Sequence, residues 1–316
     1  MNTVIGKDIH AAAELLRKGE LVAIPTETVY GLAANAFDPE AVLKIFQVKQ
    51  RPAFDPLIVH IGKKEDLDRI ASSFPPSAEA LIGKFWPGPL TLVLPKHPEI
   101  PDIVTSGLDT VGVRMPAHPI ALELLQHLDF PLAAPSANPF GYISPTTARH
   151  VSDQLGERIP YILDGGAATI GVESTILGLE DGKWMCYRVG GIPLEAIEEV
   201  IGKVERRSDP ASPVAPGMLT SHYAPRKPLL IGDVRKLIAE HPGKPIGVIA
   251  FRDRFPSTCC HTLSPAGDLS QAARKLFSAL RELDNSDVEL IVAEIFPAKG
   301  LGNAINDRLL RASASR

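Results

Sequence analysis

Three observations predict an α/β protein in two unequal parts. In the first part, short apolar strands are intermixed with amphipathic helices, but several neighbouring strands have no helix between them, which indicates a mixed sheet. Composition shifts near residue 203 into a stretch rich in Pro, Ser and charge, which is typical of a linker. Strand and helix patterns then alternate, as in a small Rossmann-like three-layer domain. We therefore predict domains at 1–203 and 229–316, joined by a linker at 204–228.

Residues 21–61 organise the first domain as a strand–helix–strand unit. The apolar run at 21–24 is too short for a helix, so it predicts a buried strand. Asp38-Pro39-Glu40 supplies the cap, the first-turn proline and the acidic residue of a helix that ends before Pro52. A second apolar strand follows at 57–61. Polar side chains crowd the ends of these elements: Thr26, Glu27, Thr28, Tyr30, Lys49, Arg51 and His60.

Each of these polar residues alone has an ordinary structural explanation. Cations at a helix C-terminus are dipole partners, a single strand histidine is usually a satisfied core residue, and a Thr-Glu-Thr run suits a turn. Their concentration within one supersecondary unit favours a functional site instead.

The other elements of the first domain follow from periodicity and turn signals. Residues 8–18 have apolar side chains at helical spacing, which predicts an amphipathic helix. Residues 90–94 follow the sharp turn Trp86-Pro87-Gly88-Pro89 and predict a strand. We predict further helices at 66–72, 77–85, 119–128 and 193–201, and further strands at 111–115, 131–134, 159–163, 174–179 and 184–189. The last two strands are expected to pair across the turn at 180–182.

The second domain is predicted from three strand patterns and three helix patterns. The strands are expected at 229–231, 246–251 and 289–295, and the helices at 233–240, 268–283 and 302–312. Alternation at this spacing favours a largely parallel sheet.

Length and composition are those of a globular protein in a reducing compartment. The 316 residues can bury a full core, and 45% hydrophobic with 22% charged residues disfavours disorder. The segment after Met1 is polar and mixed in charge, and no apolar run is long enough to span a bilayer. Three cysteines, an odd number, do not form a disulfide framework. We expect a cytoplasmic protein without membrane association.

Charge and cysteine spacing disfavour two further classes of function. The net charge is −4 and no run of Lys or Arg exceeds two residues, which disfavours a dedicated nucleic-acid binder but leaves room for a local basic cleft. Cys259-Cys260-His261 lacks the paired C-x-x-C spacing of zinc modules, and neighbouring side chains on a strand point to opposite faces. We treat this cluster as structural and predict no protein metal site.

The candidate chemistry lies in cations and hydroxyls at strand ends, where open α/β sheets bind ligands. No phosphate-binding glycine loop is present, so ATP phosphates would be held by side chains, with Mg²⁺ as cofactor. Arg114 lies in an apolar strand and requires an anionic partner, either a substrate carboxylate or a structural Asp. With Lys49, Arg51 and Arg188 it predicts a positive groove suited to a polyphosphate and a small carboxylate.

Motifs along nearly the whole chain resemble those of the YrdC-like threonylcarbamoyl-AMP synthase family, in its longer two-domain form. They are PTETVYG, KQRP, VGVRMPAHP, PSAN, SPT, DGG, GVEST, R-x-G, PGM…HYAP and GLGNAINDRLLRA, in the family's order. The resemblance implies a YrdC-like twisted mixed sheet with a concave groove in the first domain. It also implies a nucleotidyltransferase that makes L-threonylcarbamoyl-AMP from L-threonine, bicarbonate and ATP, with release of pyrophosphate. The product would serve threonylcarbamoylation of tRNA adenosine 37 by downstream transfer machinery, with weak or no direct tRNA binding by this chain.

The resemblance also assigns roles by position. It implies that threonine is held by Thr28, His60, Arg114, Ala134 and Ser174. It implies that ATP is held by Arg51, Asp55, Thr110, Ser136, Ser144, Arg188 and Tyr223. Lys49 and Arg51, in the phosphate-facing motif, are the predicted catalytic residues, and the linker pair His222-Tyr223 is expected to act as a lid rather than only to pack between domains.

Two positions depart from the family pattern. Gln50 stands where the family commonly has Gly, and Asp55 where it commonly has Asn. An Asp would bring negative charge near the phosphates, so it either faces a cation or metal or weakens nucleotide binding.

Two alternatives remain open from sequence. The groove of an RNA-binding, translation-associated module would hold RNA, but such a module needs more basic and aromatic surface, and a gel shift on tRNA distinguishes it. A carbamoyltransferase of the hydrogenase-maturation type shares the YrdC-like domain but resembles longer chains with zinc-binding C-x-x-C modules, and a metal assay bears on it.

Overall fold

The computed structural model describes residues 3–207, 215–219 and 221–314 of the chain. Its helices are α1 (Ile9–Arg17), α2 (Pro39–Lys49), α3 (Pro76–Phe85), α4 (Asp102–Thr105), α5 (Pro119–Gln126), α6 (Ala148–Leu155), α7 (Leu194–Ile201), α8 (Val234–Ala239), α9 (Leu269–Asn285) and α10 (Leu301–Ser313). The strands of the N-terminal part are β1 (Val4–Gly6), β2 (Val22–Ile24), β3 (Gly31–Asn35), β4 (Ile58–His60), β5 (Leu90–Pro95), β6 (Thr110–Arg114), β7 (Leu132–Ala133), β8 (Tyr161–Leu163), β9 (Thr175–Glu180), β10 (Lys183–Arg188) and β11 (Glu205–Arg206). Those of the C-terminal part are β12 (Leu229–Ile231), β13 (Ile246–Ala250), β14 (Cys259–Thr262) and β15 (Leu290–Ala293).

One large mixed sheet forms the N-terminal part, which confirms the predicted fold class. The strand order is β1-β8-β2-β3-β7-β4-β6-β5-β9-β10-β11. Crossovers through helices give parallel pairs such as β4 with β6, whereas hairpins give antiparallel pairs such as β9 with β10. The predicted pairing across the turn at 180–182 is confirmed, with Trp184 opposite Leu179.

The predicted strand–helix–strand unit has an additional strand. β3 lies between β2 and α2 and pairs antiparallel with both β2 and β7. Its sequence, GLAAN, has little intrinsic strand preference, so tertiary pairing rather than propensity sets its conformation. The helix predicted at 66–72 is a 3₁₀ helix over Lys64–Arg69, and five elements were not predicted: β1, α4, α6, β11 and β14.

Helix α2 carries the start of the KQRP motif at its C-terminal end. Its cap, Asp38, accepts hydrogen bonds from the backbone N–H groups of Glu40 and Ala41, and its apolar face packs into the main core. It ends at Gln50, whose φ of 52° is left-handed. That turn directs the following residue, Arg51, back against the N-terminal part, where it is buried.

The C-terminal part is a three-layer α/β unit, as predicted. Its four strands, in the order β12-β15-β13-β14, are all parallel. Helices α9 and α10 cover one face, with Ile249 and Ile291 in the same cluster, and α8 covers the other, with Val248 and Val292. On β14, Cys259 belongs with the first face and Cys260 with the second, which agrees with the structural interpretation of that pair.

Helix α9 of the C-terminal part packs against the N-terminal part. Phe277 and Leu280 share a buried cluster with Ile143 and Val172 of the N-terminal part. Gly171, at φ 83°, comes so close that an added Cβ would lie 2.4 Å from the Cα of Arg274. The predicted division at residues 203 and 229 stays a prediction: β12 to β15 follow it, but β11 of the large sheet lies inside the predicted linker. Among the described residues, no helix is long and apolar enough to cross a bilayer.

Candidate active site

A polar groove lies where β2, β4, β6 and β10 end, and the linker covers it. Its cavity volume is about 50 Å³. Of the residues predicted to bind ligands, the groove brings together Thr28, Arg51, His60, Arg114, Ala134, Ser136, Ser174, Arg188 and Tyr223. These positions are distant in sequence, so the large sheet assembles them.

Arg114 is buried at one end of the groove with its donors only partly used. Its Nε donates to the carbonyl of Gly88 at 3.1 Å, its Nη1 to the hydroxyl of Thr28 at 3.0 Å, and its Nη2 to Glu27 at 2.5 Å. The sequence left open a substrate carboxylate or a structural Asp as the partner, and in the structure the carboxylate that pairs with Arg114 is Glu27. Because a guanidinium has five N–H groups, one remains on each terminal nitrogen.

His60 lies beside Arg114 as a neutral imidazole. Its Nδ1 is 3.3 Å from the carbonyl of Ile58, and the side chain is 3% exposed. Burial, with a smaller effect of the Arg114 charge, lowers the pKa of His60 to about 3. The residue therefore adds polarity to this end of the groove without adding charge.

Arg188 and Ser174 form a second cationic corner. Arg188 donates from Nε to the Ser174 carbonyl and from Nη2 to the Ser174 hydroxyl, both at 3.0 Å. Its Nη1 donates to the carbonyl of Pro216 in the linker at 3.2 Å. The Ser174 hydroxyl is also 2.8 Å from that of Thr91, so it is fixed in position from two sides.

A third group of charges lies at the end of α2. Arg51 pairs with Asp55 at 2.9 Å, and both side chains are almost completely buried. The sequence left open whether Asp55 faces a cation or metal or weakens nucleotide binding. In the structure this carboxylate faces a cation, Arg51. Burial raises the pKa of Asp55, and the charges of Arg51, Lys49 and Arg188 act in the opposite direction.

Lys49 supports the groove from behind rather than lining it. Its Nζ donates to the carbonyls of Ser136 at 2.5 Å and Asn138 at 2.6 Å, which ties α2 to the PSAN loop. Burial, followed by repulsion from Arg51, lowers the pKa of Lys49 well below its ordinary value.

The linker pair His222 and Tyr223 lines the groove in a buried position. Tyr223 has a left-handed φ of 65°, and its ring packs against those of His222 and Phe277. Gly217, at φ 78°, leaves no room for a side chain, since an added Cβ would lie 2.8 Å from the Tyr223 hydroxyl. The linker is therefore fitted closely to the groove at these positions.

Three residues that were predicted to bind ATP do not line the groove: Ser144, Thr110 and Asp55, the last of which pairs with Arg51. Ser144 is fully buried and donates its hydroxyl to Glu173 at 2.5 Å, so it supports a lining residue. Thr110 lies in a neighbouring cavity that is bounded by Gly112, Ala215 and Pro216. Their predicted contacts with ATP stay predictions.

Sequence reasoning missed two charged residues of the site. Glu173 lines the groove, and Arg308 of α10 donates to it at 2.7 Å. Both lie within motifs that were identified in the sequence, but ligand-binding roles were predicted only for other residues. A signal existed for Arg308, because it lies three residues after Ile305 and four before Ala312, on the buried stripe of its helix.

The site has little provision for a protein-bound metal. Among the residues that the structure describes, there is no group of three or more His, Cys, Asp or Glu side chains that could hold an ion. The carboxylate that lines the groove, Glu173, is already paired with Arg308, and the two behind its wall are paired as well, Glu27 with Arg114 and Asp55 with Arg51.

Comparison with known families identifies the class and then the family. The model described as "Telomere recombination" (Sua5_yciO_yrdC) matches residues 14–190, which places the sheet and groove in the YrdC-like class. The model described as "Threonylcarbamoyl-AMP synthase, C-terminal domain" (Sua5_C) matches residues 192–314. The chain belongs to the threonylcarbamoyl-AMP synthase family, in its two-domain form.

Individual relatives agree over nearly the full length. Threonylcarbamoyl-AMP synthase of Pyrococcus abyssi is 46% identical over 98% of this chain and 94% of the relative. The protein of the same name from Bacillus subtilis is 43% identical over 98% and 93%. The crystal structure of P. abyssi Sua5 complexed with L-threonine has a TM-score of 0.92 and 44% identity, and covers 99% of this chain and 97% of that one.

Proposed function

We propose that this enzyme is an L-threonylcarbamoyladenylate synthase. L-Threonine, bicarbonate and ATP are converted to L-threonylcarbamoyl-AMP, pyrophosphate and water. The observation that carries the proposal is a single covered groove with Arg114 at one end and Arg51 and Arg188 elsewhere on its walls. Cations placed in this way can pair with a small carboxylate and with a polyphosphate. The family membership of the chain supports the same reaction.

The threonine carboxylate is proposed to bind at Arg114. Glu27, Gly88 and the Thr28 hydroxyl fix the guanidinium, while its two remaining terminal N–H groups are available to a ligand. Neutral His60, the backbone at Ala134 and the Ser174 hydroxyl complete the proposed threonine subsite. A neutral imidazole leaves Arg114 as the group that attracts the carboxylate.

ATP is proposed to lie along the part of the groove covered by the linker. Arg51 and Arg188 would balance the phosphate charge, and Ser136 would supply a hydroxyl. Lys49 would act through the PSAN loop, whose carbonyls it holds. Tyr223 and His222 would cover the nucleotide.

Mg²⁺ is proposed to enter with the ATP phosphates. Asp55 does not line the groove, but both of its carboxylate oxygens are buried without a hydrogen bond, although one of them pairs with Arg51. Hard cations prefer such oxygen ligands, so the residues fit a phosphate-bound ion better than a fully protein-bound one. The ion would neutralise phosphate charge.

The chemistry requires positioning more than proton transfer. The threonine amine captures bicarbonate as a carbamate with loss of water, and a carbamate oxygen then attacks the α-phosphorus as pyrophosphate leaves. The nucleophile is already anionic, so the chain supplies orientation and cations. The linker excludes water from a mixed anhydride that hydrolyses easily.

The product is proposed to pass to a separate machinery that modifies tRNA adenosine 37. The net charge of −4 supports weak or no direct tRNA binding. No observation favours the RNA-binding alternative.

The reaction is tested by pyrophosphate release from ATP and Mg²⁺, with threonine and bicarbonate omitted singly. We expect release to require both and L-serine to replace threonine poorly. Threonine-independent turnover, or tight tRNA binding without turnover, would contradict the proposal.

A further inference from the structure

Arg308 extends from the C-terminal part to the wall of the groove. Its side chain is fully buried, although it belongs to α10. It donates to Glu173 at 2.7 Å, to Asp307 at 2.6 Å and to the carbonyl of Val189 at 3.0 Å. Its guanidinium carbon also lies 5.1 Å from the ring centroid of Tyr223, within the range of a cation–π contact.

Glu173 is the acceptor on which this arrangement depends. One carboxylate oxygen accepts from Arg308 and the other from the Ser144 hydroxyl. Burial opposes ionisation of Glu173, but Arg308 and Arg188 together hold the pKa of its carboxyl below the ordinary value. Glu173 is therefore a negative charge on the wall of the proposed phosphate groove. Arg308, which belongs to the C-terminal part, neutralises this charge.

The same arginine acts on the linker pair. Four cations, Arg51, Lys49, Arg188 and Arg308, lower the pKa of His222 after burial itself, so all four are close to the linker at this point. Arg308 is the one that comes from the C-terminal part. Its Nη2 and the Tyr223 hydroxyl are both buried without a hydrogen-bond partner. Buried polar groups of this kind are usually satisfied by a ligand or an ordered water.

We propose that Arg308 is a positioning residue of the nucleotide site, through which the C-terminal domain holds Glu173 and Tyr223 in their working positions. The inference rests on the proposed function. Arg308 itself does not line the groove. It neutralises the charge of Glu173 beside the bound phosphates and supports the Tyr223 ring over them. Arg308 therefore contributes to the binding of ATP and not to that of threonine.

Substitution of Arg308 tests the inference, with kinetics for each substrate. Arg308→Met removes the charge but keeps an unbranched apolar stem, so Glu173 is left buried and unpaired. We expect the KM for ATP to rise on the order of 100-fold. Without Arg308, the buried negative charge of Glu173 has no ion-pair partner and repels the phosphates. The KM for threonine should change by less than about threefold.

Two further variants separate charge from packing. Arg308→Lys keeps the charge without the planar fork and should recover part of the loss. Glu173→Gln combined with Arg308→Met removes both charges and should bind ATP better than Arg308→Met alone. Arg235→Met serves as matched control, because Arg235 is an exposed arginine of α8 that packs on Phe255, and its kinetics should equal wild type.

Binding of a non-hydrolysable ATP analogue by calorimetry keeps the two proposals distinguishable. If wild type lacks threonine-dependent turnover, the proposed function fails, while the analogue affinities of the variants still judge Arg308. An unchanged ATP affinity in folded Arg308→Met would overturn the inference. So would an equal rise in both KM values that neither Arg308→Lys nor the double variant relieves, because that pattern indicates a merely structural role.

Discussion

At the residue scale, each groove cation has a carboxylate or carbonyl partner that fixes its direction. Arg114 has Glu27 and Gly88, Arg51 has Asp55, and Arg188 has the carbonyl of Ser174. A guanidinium held in this way presents its free N–H groups in one geometry, which a flexible ammonium does not. The groove is therefore prepared for its ligands before they bind.

Arg114→Lys should raise the KM for threonine by about tenfold or more, because the fork that suits a carboxylate is lost while the charge is kept. The KM for ATP should remain within about twofold. Steady-state pyrophosphate release measures both. Arg69→Lys, at a half-exposed arginine paired with Glu99 at 3.5 Å, is the control. A larger effect on ATP than on threonine would contradict the assignment of Arg114 to threonine.

Asp55→Asn decides what this carboxylate does in the nucleotide site. The amide keeps an acceptor oxygen for Arg51 and removes one negative charge, so we expect the KM for ATP to fall, by up to about tenfold. Titrations of ATP at fixed Mg²⁺ measure the change. A rise in the KM for ATP that additional Mg²⁺ corrects would show instead that Asp55 serves the metal.

At the element scale, the linker and α10 act together as a cover. Arg311 donates to the carbonyls of Met218 and Leu219, and the backbone N–H of His222 donates to the carbonyl of Arg311 at 3.2 Å. The linker is thus attached to the C-terminal part while its side chains line the groove of the N-terminal part. An element of this kind can open only if these contacts change.

Gly217→Ala should impair the cover. An added Cβ would lie 2.8 Å from the Tyr223 hydroxyl and 3.1 Å from Arg188, and we expect a higher KM for ATP and a lower kcat. Gly202→Ala is the matched control, because Gly202 has the same φ of 78° with nothing within 4 Å of an added Cβ. Both variants should lose roughly 1–3 kcal/mol of unfolding free energy from the strained positive φ. Equal kinetics for the two variants would refute a role of the Tyr223 contact in activity.

The elements also indicate which features a sequence can predict. Strands such as β5 and helices such as α2 carry strong local signals, apolar runs and a capped start, and the structure has both. Strand β3 has no such signal because its small residues become a strand through pairing with β2 and β7. Glu173 and Arg308 were missed for a related reason, since their meaning arises from a contact across 135 residues of sequence.

At the scale of the whole molecule, buried histidines make folding sensitive to acid. Burial lowers the pKa of His60 to about 3 and that of His222 well below its ordinary value of 6.5. As the pH falls below 6.5, the unfolded chain binds protons that the folded chain does not, so the free energy of unfolding falls. The raised pKa of Asp55 acts in the opposite direction, because protonation of its carboxyl relieves a cost of burial.

We expect the free energy of unfolding to fall by about 2 kcal/mol per fully buried histidine between pH 7 and pH 5. Urea denaturation at several pH values measures the slope of the free energy of unfolding against pH. His60→Gln should reduce this slope by the contribution of one buried histidine. His10→Gln, at an exposed position, is the control and should leave the slope unchanged. Identical slopes for wild type and His60→Gln would contradict a neutral buried imidazole.

The two-part organisation was predictable in outline, because a change in composition near residue 203 separates two different alternations of strand and helix. The contact between the two parts could not be predicted from the sequence, because it depends on close approaches such as that of Gly171 to Arg274. The division into domains at 1–203, 204–228 and 229–316 stays a prediction. Separate expression of residues 1–203 tests it, and a soluble fragment that lacks ATP affinity would agree with a nucleotide site completed by the C-terminal part.

The central claim is that one groove joins threonine, bicarbonate and ATP. The most direct measurement is incubation of the enzyme with ¹³C-bicarbonate, L-threonine, ATP and Mg²⁺, followed by mass spectrometry of the nucleotides. We expect a threonine-containing adenylate that carries the labelled carbon and forms together with pyrophosphate. An adenylate of threonine without the label, or AMP formed at the same rate without threonine, would contradict it.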